Sequence, residues 1–389
     1  MTNNFNFDRI IERRGTGSIK WDSVPADVIP MWVADMDFPA PPPVIDALRA
    51  RLDHPIFGYT HVEAAYLEAF SEWQKTRNNW TIPPREIVPA PGVMPAVRFA
   101  IDAFTRRGDG VIVQPPVYFP FYRVVEGRHR VLIRNRLRQS DGVYRIDADQ
   151  LDALCAAGAR MLIICSPHNP VARVWSEEEL LTVARICARH DVIVISDEIH
   201  SDIIMPGIRF VPFIPIARRI GCRALSLTSA SKTFNIAGLA SCTVVASDES
   251  TEEQFRETLR AGNLELPNLL SIVAATAAYA HAGVWLDELL PYLHENQLYL
   301  KARVEHEVPG VRVWPVEGTY IAWVDFRETG LSDIQVEELL RTRARVRLNE
   351  GRQFGDEGSG FQRINFATPR LLMEEGISRI AHAFRNRSE

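Results

Sequence analysis

Short apolar runs alternate with helical patterns through the middle third of the chain, and this alternation limits the folds that the chain can adopt. The runs are nearly continuous and rich in β-branched residues, and they cover residues 110–113, 161–165, 192–195, 224–227 and 242–245. Such runs are typical of parallel strands that are covered on both faces. Between them, residues 95–106 have helical spacing, and a capping-box sequence from Ser176 to Glu179 opens another helix. The alternation predicts an α/β fold with a doubly wound, mostly parallel sheet.

The two ends of the chain have a different pattern. The first 45 residues include the proline-rich sequence PAPPPV at 39–44, which is typical of an extended segment. Near the other end, residues 311–314 and 320–323 are strand candidates that alternate with helical stretches. We therefore expect an N-terminal arm over residues 1–45 that joins a small C-terminal α/β domain over residues 286–389. A large domain is expected over residues 46–285.

Composition excludes several classes of protein. The 389 residues are enough to bury a large core, and 44 basic against 49 acidic residues give a net charge of −5. No basic excess predicts a nucleic-acid partner or a membrane surface. Residues 266–286 carry no Asp, Glu, Lys or Arg and have the length of a membrane span. However, they are rich in alanine and include Pro267 and Asn268, which favours one packed helix inside the protein.

The five cysteines predict neither a metal site nor a disulfide framework, because no C-x-x-C pair or zinc-ligand spacing occurs. The N-terminal sequence MTNNFNFDRIIERRGTG is polar and charged, without the apolar core of a signal peptide. We expect a reduced, cytoplasmic protein without a bound metal.

Polar segments follow the predicted strands, where ligands bind in open α/β sheets. Asn169 and Pro170 follow one strand, and Asp197 ends the next. Asn-Pro alone is a common turn signal, and a carboxylate at a strand end fits a metal site, a general base or a solvated residue equally. Lys232 lies just past a later strand, so it is either solvated or a lysine that bonds covalently to a carbonyl compound. Gly92, before a predicted helix, opens either a plain turn or an anion site.

The order of these four segments carries more information than any one of them. A turn with free N–H groups, an Asn-Pro segment, a strand-end carboxylate and a lysine are the parts that hold pyridoxal phosphate (PLP). They supply partners for its phosphate, its phenolic oxygen, its pyridinium nitrogen and its aldehyde carbon. The sequence thus predicts a PLP enzyme.

On these motifs the chain resembles the fold type I PLP enzymes of the class I/II aminotransferase superfamily. Within it, the chain is most similar to the cystathionine β-lyase, or cysteine-S-conjugate (C–S) β-lyase, branch. The resemblance covers essentially the whole chain and rests on the segments MWVADMDF (31–38), HPIFGYT (54–60), PGVMPAVRFAI (91–101), PPVYFPFY (115–122), SPHNPVARVW (166–175), SDEIHSD (196–202), SASKTFNIAGL (229–239), EGTYIAWVDF (317–326) and RINFATPR (363–370). It implies an aspartate-aminotransferase-like fold, a large PLP-binding domain and a homodimer.

The resemblance also implies roles for single residues. Lys232 would bond to the cofactor and move the Cα proton, Asp197 would pair with the pyridinium nitrogen, and Tyr118 would stack on the ring. Asn169 would bind the phenolic oxygen, with His200 nearby. The phosphate would be held by Gly92, Val93, Met94, Ser229 and, from the neighbouring subunit, Tyr59.

Substrate contacts follow from the same resemblance. Arg370 would clamp the α-carboxylate of an amino-acid substrate, since a planar guanidinium suits a bidentate contact. Asn169 and Tyr118 would border the substrate as well.

Three positions depart from the usual superfamily pattern. Ala172 replaces the glycine of Asn-Pro-x-Gly-Arg, and its methyl group would tighten the turn or alter the approach to the ring. Ala240 stands where many aminotransferases have a phosphate-binding arginine. His200 stands where typical aminotransferases have a tyrosine, and histidine there favours the lyase branch.

The predicted reaction is α,β-elimination from an L-cysteine S-conjugate, which yields a thiol, pyruvate and ammonia. An aminotransferase is the first alternative. A PLP enzyme of specialised metabolism that acts on a sulfur-containing conjugate, by elimination or by decarboxylation coupled to deamination, is another. A PLP-binding regulator without catalysis is least favoured, because Lys232, Asp197 and Arg370 are all present.

Overall fold

A computed structural model describes residues 5–140 and 142–387. The first four residues of the predicted arm and the last two of the predicted small domain lie outside the described residues. The strands are β1 (Ile29–Pro30), β2 (Val88–Ala90), β3 (Gly110–Val113), β4 (Val131–Arg134), β5 (Arg138–Ser140), β6 (Val143–Arg145), β7 (Met161–Cys165), β8 (Ile193–Asp197), β9 (Ala224–Thr228), β10 (Cys242–Ala246), β11 (Arg312–Val313), β12 (Ile321–Asp325), β13 (Val346–Arg347), β14 (Asn349–Glu350) and β15 (Phe361–Asn365).

The helices are α1 (Ile19–Asp22), α2 (Pro42–Leu52), α3 (Ala64–Asn78), α4 (Val93–Phe104), α5 (Pro120–Gly127), α6 (Ala148–Ala156), α7 (Glu177–Arg189), α8 (Phe213–Ile220), α9 (Ala230–Thr233), α10 (Glu249–Ala261), α11 (Leu269–His281), α12 (Gly283–Glu307), α13 (Asp333–Glu338) and α14 (Arg370–Arg385). The capping box that opens α7 forms as predicted. Ser176 Oγ accepts from Glu179 N, and Glu179 Oε2 accepts from Ser176 N at 2.9 Å. This local pairing fixes where the helix begins.

The five predicted central strands all belong to one seven-stranded sheet of order β2-β10-β9-β8-β7-β3-β4. Strands β4, β3, β7, β8 and β9 are parallel to one another, whereas β10 is antiparallel to both β9 and β2. The expectation of a parallel partner was therefore wrong for residues 242–245. An apolar strand that is buried on both faces has the same sequence pattern in either direction.

The hydrophobic core lies on both faces of this sheet. Helices α4, α5 and α10 cover one face through side chains such as Val97, Phe121 and Phe255. Helices α7, α8 and α11 cover the other face, and the core on that side continues under a second sheet. That sheet has four antiparallel strands in the order β11-β12-β15-β14. In addition, β1 near the N-terminus pairs in parallel with β13, which ties the first part of the chain to its last third.

The helix predicted over residues 266–286 forms as two helices, so that prediction was wrong in its extent. Chain direction changes at Ala282, and α11 and α12 meet at 79°. Asn268 caps α11 by accepting from Leu270 N and Ser271 N, and α11 packs on α2 and α3. Among the described residues no single helix is long and apolar enough to cross a membrane, and only the bent pair α11–α12 meets the length and composition test.

Candidate active site

One cavity of about 330 Å³ opens at the carboxyl ends of β7, β8 and β9. Eight of the eleven predicted site residues line it, namely Gly92, Val93, Met94, Tyr118, Asn169, Asp197, His200 and Lys232. Trp32, Val33 and Ala34 from the N-terminal segment form part of its wall, together with Asn349 and Arg363. The cavity is therefore bounded by the large sheet on one side and by distant parts of the sequence on the other.

Lys232 lies in the short helix α9, which directly follows β9. Ser229 caps this helix: its Oγ accepts from Ser231 N at 3.1 Å and donates to Ser241 O at 2.7 Å. On the other side of the lysine, Thr233 Oγ1 donates to the half-buried Asp202 at 2.7 Å. Burial lowers the pKa of the Lys232 amino group to about 8. An amine with such a pKa can act as a base near neutral pH.

The neighbouring carboxylates Asp197 and Glu198 lie in different environments, one at the cavity and one among hydrogen-bond donors behind the sheet. Asp197 ends β8 and lines the cavity, where its Oδ1 accepts from Ile199 N at 3.1 Å. Burial raises the pKa of Asp197 to about 7. Glu198 instead accepts from Phe213 N and from the hydroxyls of two serines on β8 and β9. Asp197 is thus available to a ligand, and Glu198 belongs to the packing behind the sheet.

His200 is buried at the cavity, and its Nδ1 atom has no hydrogen-bond partner among the described residues. Its ring contacts Tyr320 edge-on, with 5.6 Å between ring centroids. Burial lowers the pKa of the His200 imidazole well below its usual value, and the nearby charges of Lys232 and Arg363 act in the same direction. His200 is therefore a neutral ring with a free polar atom at the pocket.

Arg363, on β15, lines the cavity and was not predicted. Its guanidinium donates to Asn169 Oδ1 at 2.9 Å, to Trp32 O at 2.8 Å and to Asn349 Oδ1 at 2.6 Å. Within residues 5–140 and 142–387 it forms no ion pair, and burial lowers its pKa to about 10. A buried cation with only neutral partners is costly unless a ligand supplies the opposite charge. The signal in the sequence was an arginine inside a strand-like run, FQRINF, where a buried charge is rare.

Arg370 does not reach the cavity. It opens α14, its Nε donates to Asn296 Oδ1 at 2.7 Å, and its guanidinium lies over the ring of Tyr299 at 4.6 Å. These contacts join α14 to α12. Both arginines stand in the matching segment RINFATPR, so the segment located the region but not the side chain that faces the pocket.

The predicted phosphate turn begins α4. Gly92 precedes the helix with φ of 155°, a conformation that glycine adopts readily, and the first N–H groups of α4 follow it at Val93 and Met94. The helix N-terminus and free N–H groups suit an anion. Ser231 and Ala240 line the same cavity, whereas Ser229 does not, because its hydroxyl is engaged in capping α9.

Two further predicted features, Tyr59 and Ala172, lie away from the cavity wall. Tyr59 is 97% exposed on the surface of the single chain, beside Phe57 and Leu266. Ala172 is buried at φ of 57°, and its carbonyl accepts from Glu317 N and Gly318 N. Its methyl group does not line the cavity, so the predicted effect on the approach to the cofactor ring is not seen. Replacing the usual glycine by Ala172 strains the backbone instead, since glycine adopts this left-handed conformation with little cost and alanine does not.

Comparisons with known proteins agree with this arrangement. Residues 26–380 match the family model for aminotransferase class I and II. The chain is 39% identical to the cystathionine β-lyase PatB of Bacillus subtilis over 97% of this chain and 99% of that protein. The crystal structure of cystalysin from Treponema denticola, which contains pyridoxal 5′-phosphate, superposes with a TM-score of 0.94 at 35% identity, covering 98% and 99% of the two chains. The PLP-bound C–S lyase of Staphylococcus hominis gives a TM-score of 0.92 at 33% identity, covering 99% and 100%. The chain belongs to the aminotransferase class I and II family.

Proposed function

We propose that this chain is a PLP-dependent C–S β-lyase that converts L-cysteine S-conjugates into a thiol, pyruvate and ammonia. The observation that carries the proposal is the meeting of Lys232, Asp197 and the buried cation of Arg363 around one cavity. The relatives named as cystathionine β-lyase and C–S lyase support the reaction type.

The pocket residues fit pyridoxal phosphate. His200 Nδ1 is a buried polar atom that still needs a partner, and the buried Asp197 would regain a low pKa beside a cationic ring nitrogen. Lys232 would hold the cofactor covalently, and Tyr118 would contact its ring. Its phosphate would bind at the N-terminus of α4, next to Gly92.

The chemistry that the cofactor supplies when bound is an electron sink for a carbanion at the substrate Cα. Lys232 takes the Cα proton, because burial keeps its amine partly neutral near pH 7 to 8. Arg363 holds the substrate carboxylate, so the Cα–H bond is oriented toward Lys232. We assign this contact to Arg363 instead of Arg370, since Arg370 is engaged with Asn296 and Tyr299.

Aminotransferase activity is the second candidate, because the family model itself describes aminotransferases. The two reactions need different co-reactants: elimination proceeds with one amino acid, whereas transamination needs a 2-oxo acid to receive the amino group. We favour elimination on the names of the full-length relatives and on His200, which the lyase branch has where typical aminotransferases have tyrosine.

The experiment is a product assay with L-cystathionine and no added oxo acid. We expect pyruvate and thiol in equal amounts, with loss of both in Lys232→Ala and no change in Lys75→Ala, an exposed lysine on α3. If products appear only after an oxo acid is added, the protein is an aminotransferase and the proposed elimination is wrong. Neither product under either condition would contradict the proposed reaction.

We also propose that the enzyme is a homodimer in which Tyr59 completes the phosphate site of the neighbouring subunit. Tyr59, Ile56, Phe57 and Leu266 expose large apolar side chains on one chain, which supports a covered surface. If Tyr59 acts across the interface, mixing Lys232→Ala with Tyr59→Ala subunits restores about a quarter of wild-type activity, because half of the dimers then contain one intact site. No recovery after subunit exchange would contradict the shared site.

We further propose a division into an arm over residues 1–45, a PLP-binding domain over 46–285 and a small domain over 286–389. The separate seven-stranded and four-stranded sheets and the β1–β13 pairing support it.

We also propose a cytoplasmic location, which is supported by the five cysteines, all of which are buried free thiols. Limited proteolysis tests the division, and cell fractionation tests the location.

A further inference from the structure

The backbone carbonyl of Ala34 receives two hydrogen bonds at the edge of the cavity. Lys232 Nζ donates to it at 2.6 Å, and the hydroxyl of Tyr320 donates to it at 2.8 Å. Tyr320 is fully buried and precedes β12, so it belongs to a different part of the fold from Lys232. One carbonyl thus links the N-terminal segment, the lysine helix and the small sheet.

The chain on either side of this carbonyl is held by other side chains. Asn365 Nδ2 donates to the carbonyls of Val33 and Asp35, both at 2.6 Å. Asn235, three residues after Lys232, accepts from Met36 N at 2.9 Å. The segment therefore stays in place without Tyr320, and the tyrosine hydroxyl acts on the direction of the Ala34 carbonyl alone.

A carbonyl oxygen can accept hydrogen bonds but cannot donate or exchange a proton. It binds an ammonium group more strongly than a neutral amine, because a charged donor strengthens the bond. Burial of Lys232 acts in the opposite direction and favours the neutral amine. The charged groups that face the lysine are Asp35 and Asp197, which favour its ammonium form, and Arg363, which opposes it.

We propose that the Ala34 carbonyl is the resting position of the Lys232 amino group whenever the lysine is not bonded to the cofactor, and that Tyr320 is the positioning residue that holds this carbonyl. The proposal rests on the proposed function only in giving Lys232 the proton transfer. It explains how a flexible lysine returns to one place each time the substrate displaces it. Positioning of this kind lowers the entropy cost of the next proton transfer.

The test measures the titration of Lys232 in the full chain freed of cofactor. The sequence has only four lysines, Lys20, Lys75, Lys232 and Lys301, so peptide mass spectrometry resolves the pH dependence of trace acetylation at each one. In Tyr320→Phe the ring remains but the carbonyl is held less firmly. We expect the apparent pKa of Lys232 to fall by roughly half a unit, since its ammonium form loses part of one hydrogen bond.

Two internal standards and one variant serve as controls. Lys75 and Lys301 are partly exposed and serve as labelling references in every protein. Tyr144→Phe removes a buried hydroxyl that accepts from Trp323 Nε1 at 3.2 Å, away from the residues that line the cavity, and should leave Lys232 unchanged. In the holoenzyme, Tyr320→Phe should lower kcat several-fold with little change in KM, and should shift the pH profile of kcat in the same direction.

An unchanged titration of Lys232 in Tyr320→Phe would overturn the proposal and leave Tyr320 a packing residue. A rise in the pKa would also overturn it, because the hydroxyl would then compete with the lysine for the carbonyl. The labelling needs neither substrate nor turnover. Failure of the lyase assay would therefore leave this measurement intact, and the two proposals fail separately.

Discussion

The two sides of the cavity differ in how their residues are distributed along the sequence. The floor, defined by Asn169, Asp197 and Lys232, comes from the carboxyl ends of β7, β8 and β9 and from the segments just after them. The wall, defined by Trp32, Ala34 and Arg363, comes from opposite ends of the chain, which meet through β15 and the segment after β1. Local sequence motifs can predict a floor that consists of strand ends. They cannot predict a wall that forms when distant parts of the sequence pair.

The largest expected effect comes from replacing one floor residue. Asp197→Asn keeps the shape but removes the charge that faces the cavity, and we expect kcat for pyruvate formation to fall by about 10²–10³-fold. Glu198→Gln is the matched control, because that carboxylate is equally buried but bonds behind the sheet. Steady-state kinetics of both variants measure the contrast. Equal losses in the two would remove the distinction between these neighbouring carboxylates.

Glu198 should instead be visible in the pH dependence of stability. Burial raises its pKa to about 7, so the folded protein binds an extra proton from about pH 4.5 to 7. The stability that this group contributes is complete below pH 4.5 and is lost as pH rises through 7. Measured by urea unfolding, the wild type should therefore lose about 3 kcal/mol more of its free energy of unfolding than Glu198→Gln across this window. If the free energy of unfolding depended on pH in the same way in both proteins, the raised pKa of Glu198 would be contradicted.

The smallest effect is expected at Ala172, behind the floor. Its φ of 57° strains an alanine, so Ala172→Gly should raise the free energy of unfolding by about 0.5–1 kcal/mol. Because Ala172 does not line the cavity, kcat and KM should stay at wild-type values. Thermal unfolding and steady-state kinetics check both halves of this expectation. A changed KM would show that the turn reaches the substrate after all.

Sequence reasoning located the central strands, the capping box of α7 and the segments that line the cavity floor. It missed the antiparallel direction of β10 and the break at Ala282, because apolar patterns report burial but not strand direction or the angle between helices. In the segment RINFATPR, only the alternation of side chains along β15 and the end of that strand decide which arginine faces inward. Ala34 acts through its backbone carbonyl, so its side chain gave no signal.

If the floor and the wall act on the same substrate, as proposed, a comparison of two arginines shows it most directly. We would measure KM and kcat for L-cystathionine in Arg363→Lys and Arg370→Lys. Loss of the bidentate fork at Arg363 should raise KM by about 10–100-fold, whereas Arg370→Lys should keep KM within about twofold and lower only thermal stability. A large rise in KM in Arg370→Lys, with Arg363→Lys close to wild type, would contradict this account of the site.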